Sequence, residues 1–328
     1  MFLDKIKFAA LLAAVMLLVG SHAAGAAGCK RLDKSEPWNQ PAPTAVHRDS
    51  AALSNFLWNS GSDRPGNFNM LPSYAVFVAR QADSSYSITS TLGNLNNKKA
   101  DFRDLWKPYN FDKQIIVLGT DPEYNYEYFG ASVDMAGATV RATRAEYFAV
   151  DNTDQSGNAG HFASRGIGIA YVHMLILDCE TRTGVINHAL SLRVARPRCN
   201  EAWWPATKIE NHPQCVTGGN PEGARFVADL TQAQIDKWAA GLYAKGGAPL
   251  ETFGRAVAAA LKAYGFYITD NGGSTAGFDM QAIETLSPTN ALKYVALEHP
   301  TYIRDLLDGL LTPTSLHAVA EQGRRLTN

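Results

Sequence analysis

The chain has few of the residues that announce a reaction. It holds 4 cysteines in 328 residues, and they are scattered at Cys29, Cys179, Cys199 and Cys215 rather than grouped as a metal knuckle. Charge of one sign is also missing. Lys+Arg number 30 against Asp+Glu 31, giving a net charge of -1, and no long run carries one sign. Phosphate binding needs clustered positive charge, so nucleic acid is excluded as a partner. There is no G-x-S-x-G elbow and no phosphate-binding P-loop. His161, His173, His188 and His212 lack the close spacing of a zinc motif. No metal and no cofactor is implied.

Long apolar runs are scarce too. The N-terminal stretch Phe8–Val19, preceded by Lys5 and Lys7, is short for a membrane span and suits a secretory signal. Small residues follow at Ser21-His22-Ala23 and Ala24-Gly25-Ala26, so residues 1–28 are expected to be removed on export. The protein is then secreted or periplasmic. Ala26-Ala27-Gly28-Cys29 gives the alternative of a lipoprotein anchored through Cys29. In an oxidising compartment the four cysteines form two bridges, Cys199–Cys215 first and Cys29–Cys179 as the remaining pair.

What the sequence does have is apolar content, 46%, and many short alternating segments. Residues 29–70 read as an irregular N-terminal segment, with a turn or two of helix over Ala51–Trp58. Strands are expected at Tyr74–Ala79, Tyr86–Ser90, Gln114–Leu118, Tyr124–Phe129, Thr139–Thr143 and Glu146–Val150. The longest apolar tract, Gly160 to Val194, ends in an alternation that puts Ile186, His188, Leu190, Leu192 and Val194 on one side. Its earlier part, Gly166–Leu177, is apolar on both faces and is read as buried strand. Asp151–Gly160 is a polar loop. Helices come late: Thr231–Lys245, opened by Thr231 with Gln234 as a capping box and Leu230 with Ile235 as a staple; Leu250–Tyr264; and one near Tyr302–Leu310. The expected fold is mainly β, a jelly-roll-like β-sandwich with two or three helices in the C-terminal third. Residues 71–310 form its single domain and 311–328 a tail.

Several residues could carry chemistry. His188 on an apolar strand face is either a satisfied core histidine or a proton acceptor facing a ligand. Asp270 and Asn271 end a short strand, Phe266–Ile268 onward, where loops hold site residues; the same Asp270-Asn271-Gly272-Gly273 is also plain turn chemistry. Trp203-Trp204-Pro205 offers an aromatic platform near the Cys199–Cys215 loop. Glu123, Asn125 and Glu127 alternate along a strand, and E-Y-N-Y-E resembles the acidic strand of laminarinase-type sandwich hydrolases, with Asn in place of the middle acid.

Three further pieces, Ile186-Asn187-His188-Ala189-Leu190, Trp204-Pro205-Ala206 and Tyr264-Gly265 through Asp270-Asn271-Gly272, with Gly223-Ala224-Arg225 between, resemble a family of secreted bacterial β-sandwich proteins. The resemblance spans roughly residues 70–285. It implies a jelly-roll-like sandwich and a short helical turn around Asp178–Thr183, and it carries no activity with it. Where such proteins often continue W-P-A with Arg-His, this chain has Thr207-Lys208.

The functional expectation is an exported carbohydrate-active protein that binds a polysaccharide or cell-envelope glycan and, as a hydrolase or lyase, cleaves it. His188 and Asp270 are then the catalytic pair, with Trp204, Asn271, Tyr267 and Glu127 binding substrate. The alternative is a non-enzymatic envelope or surface glycan-binding module. A monomer is expected.

Overall fold

In a computed structural model the described residues are 36–61, 63–79, 84–103, 106–109, 112–119, 124–149, 165–210 and 212–327. The signal segment, Cys29, Glu123 and the Asp151–Gly160 loop lie outside them. Strands β1 (Asn69–Val78), β2 (Ser84–Leu92), β3 (Lys99–Phe102), β4 (Ile115–Leu118), β5 (Tyr124–Phe129), β6 (Ser132–Asp134), β7 (Thr139–Ala149), β8 (Leu190–Val194), β11 (Arg225–Ala228), β12 (Phe266–Asn271), β13 (Gly277–Gln281) and β14 (Leu316–Ala318) share one sheet. Their order is β14-β11-β12-β8-β13-β1-β4-β5-β7-β2-β3, with β6 beside β7. Strands β9 (Pro197–Trp203), β10 (Asn220–Glu222) and β15 (Arg325–Thr327) form a second, small sheet.

This overturns the expected sandwich. The pairs β1–β13, β1–β4, β8–β12 and β2–β7 are parallel, which a jelly roll of antiparallel strands does not contain. The architecture is mixed α/β around one 12-stranded sheet. Strand β1 explains its breadth: Asn69–Tyr74 pairs with β13 and Ala75–Val78 with β4, so one strand belongs to both halves. Strand positions are visible in a single sequence because alternation is local. Which strands pair, and in which direction, depends on segments far apart in the chain.

Helices stand where turns of helix are expected over 51–58 and 178–183 as well as in the C-terminal third. Among the described residues they are α1 (Ser50–Asn59), α2 (Asp178–Thr183), α3 (Gln232–Ala263), α4 (Ala291–Glu298) and α5 (Pro300–Arg304), so they are not confined to the C-terminal third. The two helices read at 231–245 and 250–264 are the two limbs of α3. The backbone breaks from helical geometry at Gly246 and Gly247, where Gly247 has φ +66°. The Thr231 cap forms in both directions: Gln234 N donates to Thr231 Oγ1 at 3.3 Å and Thr231 N to Gln234 Oε1 at 2.8 Å.

The sheet has two different faces. Leu190, Leu192 and Val194 of β8, Phe266 and Ile268 of β12, and Phe278 and Met280 of β13 pack in one apolar cluster with Phe253, Val257 and Leu261 of α3. Truncating one of these aromatics to alanine costs about 3–5 kcal/mol. Alternation sends Ser191 and Arg193, Thr269, and Asp279 to the other face. There they meet not water but the segment 165–177. That segment is not the expected strand. It runs in turns over the sheet, with left-handed residues at Gly168 (φ +77°) and Met174 (φ +63°), and meets the strands through the bridge of Ile176 to Met280 and through hydrogen bonds from Ile167 N to Thr269 O at 3.2 Å and from Ser191 N to Met174 O at 3.1 Å. An unbroken apolar run fits a buried covering loop as well as a strand.

No helix among the described residues is long and apolar enough to cross a membrane. Cys199 and Cys215 form a disulfide across a separation of 16 residues, which fits an oxidising compartment. Cys179 is disulfide-bonded as well, and its expected partner, Cys29, is outside the described residues.

Candidate functional site

The polar layer is anchored by Arg165. It is fully buried and forms an ion pair with buried Asp279 at 3.0 Å. The guanidinium also donates to Ser191 Oγ, to Thr269 Oγ1 at 3.0 Å and to the Tyr171 carbonyl at 2.7 Å. Ser191 Oγ donates to Asp279 Oδ2 at 2.6 Å, and Arg193 Nε stands 2.7 Å from Asp279 Oδ1. Two arginines on one carboxylate, each with further oxygen partners, is how a buried charge is kept. Tyr74 and Tyr171 lie against these arginines, and burial, then the nearby charge of Asp279 for Tyr74, raises both phenols well above their ordinary value.

At the edge of this layer three carboxylates converge. Strand β12 gains one residue against β8 between Ile268 and Asp270; such a bulge re-aims the side chains that follow it. Asp270 thereby shares a small volume with Glu210, from the stretch after β9, and Glu222, from β10; one oxygen of each lies within 4.8 Å of the others. Gly223 N donates to Ile268 O at 2.7 Å and fixes β10 beside β12. The Asn271 amide donates to Glu210 Oε2 at 3.2 Å and to Asp270 Oδ1 at 3.0 Å. Gly166 closes over them: a side chain there would come 2.5 Å from Glu210 Oε2 and 2.7 Å from Asp270 Oδ1. Asp270, Glu210, Asn271 and Lys208 are half-buried, while Glu222 is 1% exposed. Burial, then repulsion by Glu210, pushes Asp270 up to about 8. Glu222 is raised well above the usual carboxylate range by burial, then Glu210 and Asp270.

A second acidic pair acts on Lys208 through Glu146. Glu127 and Glu146 are register partners on β5 and β7. Burial raises Glu127 to about 7, against the pull of the Tyr171 and Val172 amides and of Arg165. Burial, then Glu127, raises Glu146 to about 8, opposed by Arg144 and Lys208. Lys208 itself is lowered by burial, then by Arg144, and drawn back up by Asp270, Glu210 and Glu146. Raised acids and a lowered lysine in one region are what proton-transfer sites are built from.

The structure separates the residues that the sequence grouped. His188 is fully buried, with Nε2 3.0 Å from Glu180 Oε1 and Nδ1 2.7 Å from the Ala189 carbonyl. Glu180 also accepts from the Leu177 amide at 2.9 Å, so the pair fastens α2 to the start of β8. His188 precedes Leu190, which faces Phe266, whereas Asp270 faces Arg193 near the far end of the same ladder. At about 3.3 Å per residue that is on the order of 15 Å. His188 and Asp270 are not brought together. Asp270, Asn271 and Glu127 do share the charged region.

Trp204 and Tyr267 lie elsewhere. They line a small hollow with Arg225 and Glu321. Tyr267 is buried against the Arg225 guanidinium, 5.1 Å from its ring centre, and Arg225 ties the Pro37, Gln40 and Tyr264 carbonyls to the sheet. The G-x-R and W-P-A motifs thus hold the fold's edge. Asn271 makes the turn its neighbours suggest, accepting from Gly273 N at 2.7 Å.

Sequence reading missed Arg165, Asp279, Glu146, Lys208, Glu210 and Glu222. Of these, only Lys208 figures in the sequence reading, as the residue that stands where similar proteins often have His. The carboxylates come from unconnected segments, one of them a strand of three residues. Comparison with known proteins finds no family model, no curated protein and no solved structure that matches the chain.

Proposed function

We propose that the protein is an exported carbohydrate-active protein that binds a polysaccharide over the Asp270 region and cleaves it by proton transfer. One observation carries this reading: Glu146, raised by burial to about 8, and the Glu210–Glu222–Asp270 group both act on the same half-buried Lys208. Cleaving a glycosidic bond needs one group to deliver a proton to the leaving oxygen and another to receive one. Glu146 is the donor in this scheme. The three-carboxylate group, which shares its remaining negative charge, is the acceptor side. Half-buried carboxylates, Asp270 and Glu210, also suit a substrate made of hydroxyls. His188 has no part in it.

The test is a panel of neutral, acidic and amino-sugar polysaccharides incubated with the purified protein. New reducing ends report hydrolysis, and ultraviolet absorbance of an unsaturated end reports elimination. Glu146→Gln and Asp270→Asn are expected to lower turnover by roughly a hundredfold or more in protein that keeps its melting temperature. Turnover unchanged in both variants would remove the assignment.

Glu146 is 3% exposed, and that favours a second reading, the non-enzymatic glycan-binding module. It predicts no new ends from any polysaccharide, with binding that Asp270→Asn weakens.

A further inference from the structure

The carboxylates of Glu210, Glu222 and Asp270 are closer together than a solvated acidic surface requires, and Glu222 is not solvated at all. Its side chain is 1% exposed; Glu210 hydrogen-bonds its carboxyl, yet its Oε1 is buried without a hydrogen-bond partner. An unpaired buried carboxylate oxygen is costly, by a few kcal/mol in typical cases. The arginines nearby do not offset that cost, because Arg165 and Arg193 are both ion-paired with Asp279, at 3.0 and 2.7 Å. Lys208 divides its field between this group and Glu146. Gly166 packs against these oxygens without a side chain, and any side chain there would strike Glu210 and Asp270.

We propose that Glu210, Glu222 and Asp270 form a binding site for a divalent cation of the calcium class. All donors are carboxylate oxygens, which suits hard cations and disfavours soft ones. Oxygens that share an ion with bonds of about 2.3–2.6 Å are at most about 5 Å apart, whereas the shorter magnesium bond of about 2.0–2.1 Å allows about 4.2 Å. The group's oxygens, all within 4.8 Å of one another, fall inside the calcium span. Three carboxylates fill three of the six to eight positions that such an ion takes, roughly, and the rest are open to water or to hydroxyls of a ligand. The site goes beyond the sequence reading, which implied no metal, and it does not depend on the polysaccharide reading.

Calorimetric titration of chelator-treated protein with calcium, magnesium and manganese chlorides tests it. One calcium per chain is expected, bound at least tenfold more tightly than magnesium. Glu222→Gln, a change of one atom, should weaken calcium by tenfold or more, and Gly166→Ala should do the same by occupying the space. Thermal melting of the wild type supplies a second readout that needs no variant: calcium raises the melting temperature, and sodium at matched ionic strength does not. Absence of saturable calcium binding at millimolar concentration overturns the proposal. So does tighter binding of magnesium, or calcium binding in Glu222→Gln equal to that of the wild type. Calcium bound by a protein that cleaves no polysaccharide keeps this site and removes the proposed activity; cleavage without calcium binding does the reverse.

Discussion

Glu127 and Glu146 stand directly opposite each other across the β5–β7 ladder, and both are buried. Like charges in that position repel, so the fold favours their protonated forms. A carboxyl whose proton affinity rises on folding contributes its stability fully below its unfolded value and loses it as pH climbs through the folded value. The window here runs from about 4.5 to about 8. Stability is expected to fall across it, by roughly 3 kcal/mol from Glu127 alone as an order of magnitude. Chemical denaturation at a series of pH values measures the fall, and Glu127→Gln should flatten it. A stability that rises steadily from pH 5 to 8 would contradict the pairing.

His188 and Glu180 form a buried pair at 3.0 Å, and removing one member strands the other. His188→Ala is expected to cost about 3–5 kcal/mol, seen as a lower midpoint in urea. Adding Glu180→Gln should recover part of the loss, since an amide is cheaper to bury than a charge. A loss in the double variant equal to the sum of the losses of His188→Ala and Glu180→Gln alone would show that the two groups do not interact.

Arg165 and Asp279 pose the same problem deeper in the protein. Arg165→Met removes one partner of a fully buried ion pair and is expected to cost about 3–5 kcal/mol. Arg165→Lys should recover little, because a single ammonium cannot replace a guanidinium that reaches Asp279, Ser191, Thr269 and the Tyr171 carbonyl. Thermal melting of the two variants decides it.

Gly166 tests the site from the other direction. Its backbone does not need left-handed geometry, so the fold should tolerate Gly166→Ala; the added carbon meets the ends of two side chains rather than backbone. Glycan binding or turnover should fall roughly tenfold or more, the scale on which a small misplacement of reacting groups tells. The melting temperature should change little. A large loss of stability with retained function would contradict this placement.

Much of the local structure was visible from residues alone. Thr231 with Gln234 marked the start of α3 because a cap is a contact three residues long. Cys199 and Cys215 were the natural first pair because the loop between them is short. Asp270-Asn271-Gly272-Gly273 read correctly as turn chemistry, and it sits at the charged group as well. The sandwich was the wrong inference because parallel pairing of β1 with β4 and β13 leaves no local trace. His188 was grouped with Asp270 because both are polar residues at strand ends. The register of β8 against β12 puts them at opposite ends of one ladder, and no motif encodes that register. Glu222 gave no warning, since nothing near it in sequence foretells its meeting with Asp270.

The most direct test sets Asp270→Asn beside His188→Gln, assayed together for melting temperature and for polysaccharide binding and turnover at a temperature where both are folded. Asp270→Asn should lose roughly a hundredfold of turnover while melting near the wild type, and His188→Gln should melt lower while working normally. The opposite pattern, with function abolished by folded His188→Gln and untouched by Asp270→Asn, would contradict the placement of the functional centre at Asp270.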